Sequence, residues 1–174
     1  MSWENAEARQ RLGGAREQLP ADDELLLRAV ADCRAALGAT VADELGELPE
    51  RQLLDGTLYC HASPVSDMRS FMPKPGDDDE LLTGVTEARV VFGHTHLQFR
   101  RHSAAGVELV NPGSVGLPLD GDSRAAYALV ADDGSIEFRR VQYNVAAAIE
   151  GLNNQFGDLP WTARSIMRLR TARF

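Results

Sequence analysis

The feature that most constrains this chain is an apolar run that ends in a glycine and two closely spaced histidines, VVFGHTH at residues 90–96. Valine and phenylalanine fit a buried strand, and in extended chain residues i and i+2 point to the same side, about 7 Å apart. His94 and His96 are therefore expected to direct both imidazoles towards one place. Because neutral imidazole is a good ligand for divalent metals, the run predicts a metal site at the end of a strand.

A second apolar run, TLYC at residues 57–60, also ends in a histidine. Two strands would thus each deliver imidazole at their ends, and the predicted metal ligands are His61, His94 and His96. A single buried histidine is more often a core residue with satisfied hydrogen bonds. The placement of three histidines at strand ends favours a metal site. Two-metal hydrolases hold cations about 3.5–4 Å apart, and each cation can be coordinated by an imidazole.

The length, composition and net charge of the chain limit the class of protein to which it can belong. A chain of 174 residues is long enough for one domain with a real core, and 44% hydrophobic and 25% charged residues are typical of soluble globular proteins. No apolar run approaches the roughly 20 residues of a membrane span, and the N-terminus lacks a signal-peptide pattern, so the expected location is cytoplasmic. The net charge of −8 argues against binding of a nucleic-acid polymer.

The remaining patterns predict one strand-rich α/β unit with helices at both ends of the chain. The expected divisions are a helical segment at 1–44, an α/β core with the motifs at 45–149, and a C-terminal helix at 150–174. The dipeptide Asp55-Gly56 suits a type I′ hairpin turn. Two further features are expected to have a structural role only. The acidic stretch at 76–80 is interpreted as a solvated loop, and Cys33 and Cys60 as reduced core residues.

The stretch from Asn111 to Ser114, sequence NPGS, predicts a sharp turn. Proline suits position i+1 and glycine the positive φ at position i+2 of a type II turn, so the turn alone explains Pro112 and Gly113. Backbone N–H groups of such a turn can also line an anion site. Asn111 and Ser114 are therefore candidates for the vicinity of a bound phosphate, with a purely structural role as the alternative.

Four motifs occur in a specific order: HASP at 61–64, GHTH at 93–96, NPGSVG at 111–116 and GDSRAAY at 121–127. Together they resemble the C-terminal half of calcineurin-like metallophosphoesterases, of the small bacterial phosphodiesterase type, over roughly residues 45–149. The resemblance implies a four-layered α/β/β/α sandwich with a dinuclear Mn, Fe, Zn or Ni centre. It also implies hydrolysis of a small phosphomonoester or phosphodiester by a metal-activated hydroxide.

Carried over to this sequence, the resemblance implies that His61 and His94 bind one metal and His96 the other, and that the turn at Asn111 buttresses the site. Three family motifs do not occur in the sequence: Asp-x-His, Gly-Asp-x-x-Asp and Gly-Asn-His. In the family they supply the carboxylate that bridges the metals and the histidine that protonates the leaving group. Two close cations repel strongly without a bridging carboxylate, so at most one is expected to bind well, and no catalytic residue is assigned.

The same comparison predicts that N-terminal strands of the sandwich are missing, which would leave an apolar sheet edge open beside the strands that end at His61 and Gly93. An open edge favours a homo-oligomer or pairing with another chain. The leading hypothesis is a metal-dependent phosphoesterase without its N-terminal part. The alternatives are a non-catalytic relic that binds a metal or a partner, and assembly in trans with a separate N-terminal half.

Overall fold

The structure, a computed structural model, describes residues 21–173, with side chains described from residue 24 onward. The helix predicted near residues 4–18 lies outside the described residues. The rest divides into two compact units: residues 21–49 with 152–164, and residues 50–151 with 165–173. The description of residues 1–174 as one domain stays a prediction.

The described residues contain both helices and strands, and the mixed α/β class predicted from the sequence is confirmed. In chain order they are α1 (Ala21–Leu37), α2 (Ala39–Gly46), β1 (Arg51–Leu54), β2 (Thr57–Cys60), α3 (Asp78–Leu81), β3 (Arg89–Val91), β4 (Gln98–His102), β5 (Glu108–Pro112), β6 (Ala125–Val130), β7 (Ile136–Val141), α4 (Val145–Phe156) and α5 (Pro160–Thr171).

The first unit is helical. Gly38 has a φ of 81° and ends α1, as the sequence predicted, because glycine adopts a positive φ without a steric penalty. Trp161 is buried; its indole N–H donates to the Asp32 carboxylate at 2.8 Å, and its ring packs edge-on against Phe156. Cys33, however, is exposed, so its prediction as a core residue is wrong. The reason is that the apolar face of α1 is largely uncovered, with Leu37 50% exposed.

The second unit contains a five-stranded sheet in the order β1-β2-β3-β5-β4. The three inner strands β2, β3 and β5 run parallel, and β1 and β4 pair antiparallel at the two edges. The carboxyl ends of the inner strands therefore lie at one edge of the sheet, which is where open α/β sheets bind ligands. The histidine motifs follow two of these ends.

The core of this unit lies against the inner strands. Strand β5 is buried almost throughout, which fits a parallel strand covered on both faces. The fully buried Val90 and Leu109 are partners in the β3–β5 register. The core cluster consists of Leu58, Phe71, Leu81, Leu82, Val90, Phe92 and Leu109.

The predicted position of the open sheet edge is wrong. β2 lies between β1 and β3, and β3 lies between β2 and β5, so the strands that lead to His61 and Gly93 are both interior. The edge of the sheet next to β2 is β1 instead, where Leu53 and Leu54 are each more than half exposed. Among residues 21–173, no helix has the length and apolar character needed to cross a bilayer.

The acidic stretch at 76–80 is exposed as expected except at Asp78, where the prediction is wrong. Asp78 lies in α3, is buried, and makes a two-pronged ion pair with Arg101 of β4 at 2.6 and 2.7 Å. Arg69 bridges the neighbouring carboxylates of Asp77 and Glu80. A buried carboxylate needs such a partner, and the arginine that supplies it lies 23 residues away in the sequence.

A two-stranded sheet of β6 and β7 packs close to the carboxyl end of β5. The Gln98 side-chain amide donates to the carbonyls of Pro112 and Tyr127, both at 3.1 Å, and so links the two sheets. Between them, Gly113 has a φ of 85°, and a Cβ there would lie 2.7 Å from the Cβ of Ala126. This close approach, together with the positive φ, explains why glycine stands at this point of the turn.

Candidate metal centre

Two of the predicted ligands lie in direct contact where β2 and β3 end. His61 Nε2 is 3.1 Å from His94 Nδ1, and the two rings meet edge to face with centroids 5.1 Å apart. The backbone holds them there, because the Gly93 N–H donates to the His61 carbonyl at 2.7 Å. Neighbouring parallel strands thus bring together residues that are far apart in the sequence.

The backbone at His94 and His96 differs from the extended strand assumed for the GHTH motif. Strand β3 ends at Val91, and both histidines have positive φ, 64° and 59°. His94 is the central residue of a three-residue turn that is closed by a 2.7 Å hydrogen bond from the Thr95 N–H to the Gly93 carbonyl. The alternation argument for this pair is therefore wrong. Left-handed backbone at a residue with a Cβ costs about 1–2 kcal/mol, so surrounding contacts must hold it.

Asn111, at the end of β5, supplies such contacts. Its side chain is fully buried, and its amide N–H groups donate to the Gly93 carbonyl at 2.7 Å and to the Thr95 hydroxyl at 3.0 Å. Its amide oxygen accepts from the Gly113 N–H at 3.0 Å. These bonds favour a supporting role beneath the histidine turn. Contact of Asn111 with a substrate stays a prediction.

The ring nitrogens of His96 have distinct roles. Nδ1 lies 2.7 Å from the Leu117 carbonyl oxygen, and since a carbonyl can only accept, Nδ1 carries the proton. Nε2 is then left with a lone pair, which is the state a metal-binding nitrogen needs. Histidines that bind metals usually donate their other N–H in this way.

His94 is held neutral by its surroundings. Burial lowers the pKa of its imidazole, and the neighbouring His61 and His96 lower it further, against smaller opposing contributions from a hydrogen bond with the Met68 backbone and from Asp67. A neutral ring is the form that binds a cation. Cys60, beside His61 in sequence, behaves differently: burial first, then the charge of Asp67, raises the pKa of its thiol to about 11. Its thiol therefore stays protonated near neutral pH and is a poor ligand.

The pair of imidazoles has a spacing suited to one divalent cation. Two nitrogens bound to the same ion at about 2.0–2.1 Å lie roughly 3.0–3.4 Å apart, and the observed separation between His61 Nε2 and His94 Nδ1 is 3.1 Å. Within residues 21–173, no group of three or more His, Cys, Asp or Glu side chains could hold a metal ion. The separation of the two nitrogens suits a shared cation and also a direct N–H···N hydrogen bond, and convergence of His61, His94 and His96 on a common ion stays a prediction.

Sequence reasoning missed the backbone carbonyls of Met68 and Leu117, which contact the rings of His94 and His96. A carbonyl is present at every residue, so no sequence signal could have identified these two. Ser114 was singled out, and its hydroxyl accepts the Leu117 N–H at 3.0 Å. His102 is an exposed strand residue at the end of β4, as predicted.

No protein-family model matches the chain, and no curated protein matches it. Solved structures do. The chain is similar to a metallophosphoesterase from Sphaerobacter thermophilus, with a TM-score of 0.65 and 23% identity, over 79% of this chain and 63% of that one. It is also similar to a hypothetical protein from Pyrococcus horikoshii OT3, with a TM-score of 0.66 and 18% identity, over 79% of this chain and 56% of that one.

The chain thus spans less than two thirds of the length of either structure. Sequence identities this low establish a likeness of fold, and both matches extend over most of the present chain. The strand order, the imidazole pair at the carboxyl ends of the parallel strands and these two matches lead to one conclusion: the chain has a metallophosphoesterase-like fold.

Proposed function

We propose that this chain is part of a metal-dependent phosphoesterase that hydrolyses small phosphomonoesters or phosphodiesters. The observation that carries the proposal is the 3.1 Å contact between His61 Nε2 and His94 Nδ1, at the ligand-binding edge of a metallophosphoesterase-like fold. At this distance one imidazole can donate an N–H to the other, and a divalent cation can take the place of that proton between the two nitrogens.

In this proposal His61 and His94 hold one divalent cation, of Mn, Fe, Zn or Ni, and His96 offers its Nε2 lone pair beside them. A bound cation would polarise a phosphoryl oxygen and lower the pKa of a water molecule. The chain's own task is to hold the imidazoles in place, and burial also lowers the pKa of the His94 ring. Asn111 contributes by holding the turn that carries His94, and the loops at 66–79 and 117–124 would contact the rest of the substrate.

A second candidate is a non-catalytic module of the same fold that binds a metal or a partner. It is favoured by one observation: the described residues contain no cluster of three metal-ligating side chains. Two imidazoles can retain a cation, but they bring no negative charge to balance a second one. This candidate predicts binding without hydrolysis.

The two candidates separate in one experiment on the full chain. Cation binding by Mn²⁺ and Ni²⁺ is measured by calorimetry, and hydrolysis is followed with bis(p-nitrophenyl) phosphate and p-nitrophenyl phosphate. The variants are His61→Ala and His94→Ala, with His102→Ala as the matched control because His102 is an exposed histidine on the same sheet.

The phosphoesterase proposal expects cation-dependent hydrolysis that falls at least about 100-fold in both site variants, by analogy with the loss of a group that stabilises transition-state charge. The His102→Ala control should keep full activity. Binding that is lost in the site variants without any hydrolysis in the parent chain would favour the non-catalytic module. Equal binding in all three variants would contradict both candidates.

A further inference from the structure

The loop after β5 wraps around His96 from two directions. The Leu117 carbonyl accepts the Nδ1–H of the imidazole at 2.7 Å, and the Leu119 N–H donates to the His96 carbonyl at 3.3 Å. The ring and the backbone of this histidine are thus both tied to residues 117–119. The conformation of that short segment decides which ring nitrogen of His96 carries the proton.

Ser114 fixes the conformation of this segment. Its hydroxyl oxygen accepts the Leu117 N–H at 3.0 Å, and its own carbonyl accepts the Ala126 N–H of β6 at 3.0 Å. Ser114 is therefore anchored to the second sheet and holds Leu117 from the N–H side, while the carbonyl of Leu117 holds the imidazole. This hydrogen bond spans a turn whose tip, Val115 and Gly116, is exposed.

We propose that Ser114 is a positioning residue for His96: by fixing the backbone of Leu117 on its N–H side, it holds the Leu117 carbonyl where it selects the tautomer with the proton on Nδ1, and so presents Nε2 as a lone-pair donor. The proposal rests on the proposed function, in which Nε2 faces a cation. It assigns Ser114 a role different from direct contact with phosphate. A hydroxyl that only contacted phosphate would leave the His96 tautomer unchanged when removed.

The test measures the tautomer in metal-free protein, so that it does not depend on activity. Long-range ¹H–¹⁵N spectra at pH 8 report which ring nitrogen of His96 is protonated, and Zn²⁺ and Ni²⁺ titrations report affinity. The variants are Ser114→Ala and Ser114→Thr, which keeps a hydroxyl. Ser103→Ala is the matched control, because the Ser103 hydroxyl also accepts a backbone N–H, that of Val107 at 3.1 Å, in the turn after β4.

The parent chain should show His96 with the proton on Nδ1. Ser114→Ala should shift a large part of the population to the Nε2–H tautomer and weaken cation binding at least about 10-fold, as loss of a group that orients a ligand does. Ser114→Thr should restore both properties, and Ser103→Ala should leave both unchanged.

The proposal is overturned if His96 in the parent chain carries its proton on Nε2. This measurement needs no variant, so the test stays decisive if Ser114→Ala does not fold. An unchanged tautomer in a folded Ser114→Ala would overturn it as well. If no variant and no parent chain binds a cation, the proposed function fails, whereas a tautomer shift confined to Ser114→Ala still supports the link from Ser114 to His96.

Discussion

Two tight turns in the second unit use left-handed backbone for opposite reasons. In the β1–β2 hairpin, Asp55 and Gly56 have φ values of 47° and 73°, and both residue types tolerate that conformation. In the turn after β3, His94 and His96 have similar φ values, although only glycine and occasionally asparagine or aspartate adopt this conformation routinely. The first turn is determined by its own residues. The second is imposed by buried contacts from β5 and its loop, and it is the one that carries the candidate metal ligands.

The largest expected effect on stability and on cation binding is that of a substitution at Asn111. Replacing it by alanine removes three hydrogen bonds, those to the Gly93 carbonyl, the Thr95 hydroxyl and the Gly113 N–H, although the Gly93 carbonyl keeps the Thr95 N–H as a donor. Because each lost hydrogen bond contributes about 0.5–1.5 kcal/mol, Asn111→Ala should lower the free energy of unfolding by about 3 kcal/mol and abolish cation binding. Urea denaturation and calorimetry measure the two effects.

The control for this prediction is Asn144→Ala. The Asn144 side chain also accepts a backbone N–H, that of Ala147 at the start of α4, but it does so at the surface. Loss of such a helix cap costs about 1 kcal/mol and should leave cation binding intact. Equal losses in the two variants would show that Asn111 does not hold a strained turn.

Substitution of the turn glycines is expected to have a smaller effect on stability. At Gly113 a Cβ would meet the Cβ of Ala126 at 2.7 Å, whereas at Gly56 it would meet nothing within 4 Å, although both residues have positive φ. Gly56→Ala should therefore cost about 1 kcal/mol from backbone strain, and Gly113→Ala about 2 kcal/mol or more from strain and overlap together. Thermal denaturation of both variants checks the difference. A smaller loss at Gly113 than at Gly56 would contradict the close packing of the two sheets.

Glu108, at the start of β5, forms ion pairs with Arg89 and Arg100, and these predict how the stability of the chain depends on acidic pH. Burial tends to raise the pKa of Glu108, but hydrogen bonds from Arg89 and Arg100 outweigh it, and the net pKa lies below the ordinary 4.5. The stability contributed by ionised Glu108 is therefore complete above about pH 4.5 and is lost as the pH falls through the lower folded-state pKa. Glu108→Gln should reduce stability by about 1 kcal/mol at pH 7 and flatten the acid dependence.

Denaturation curves at pH 7 and pH 3.5 measure that prediction. The control is Glu137→Gln, because Glu137 also pairs with an arginine, Arg139, but at the surface of β7. Exposed pairs contribute little, so this variant should match the parent chain within about 0.5 kcal/mol. A parallel pH dependence of the parent chain and Glu108→Gln would contradict a buried role for Glu108.

The smallest effect concerns the strain at His94 itself. Asparagine is one of the few residues with a Cβ that visit left-handed backbone routinely, so His94→Asn should raise the free energy of unfolding by about 0.5 kcal/mol while removing a cation ligand. Asp55→Asn changes nothing in this respect, since both residues suit that turn. Thermal denaturation with and without Zn²⁺ measures both variants. A loss of stability in metal-free His94→Asn would indicate that the imidazole contributes packing that outweighs the strain.

The two turns also show what could be predicted from the sequence. The Asp55-Gly56 hairpin was predicted correctly because its two residues determine their own backbone. The backbone at His94 was predicted incorrectly because Asn111, a residue of another strand, determines it. The histidine pair itself was found from the apolar runs that precede His61 and His94, since those runs form neighbouring parallel strands.

Charge patterns in the sequence did not predict burial where the ion-pair partner lies far along the chain. The acidic residues around Asp78 predict a solvated loop when taken alone, whereas Arg101 makes Asp78 a buried anchor. The exposed Cys33 is a similar case, because an apolar helix face predicts burial only if another element covers it. Burial depends on tertiary partners, which local patterns do not identify.

The proposed function depends on a cation shared by His61 and His94. A crystal structure of the chain grown with Zn²⁺, with anomalous data collected at the zinc edge, shows directly whether such an ion is bound. We expect one zinc ion at about 2.0–2.1 Å from both His61 Nε2 and His94 Nδ1. Zinc bound only elsewhere on the chain, or an imidazole pair that retains its direct nitrogen-to-nitrogen contact at saturating Zn²⁺ with no ion between the rings, would contradict it.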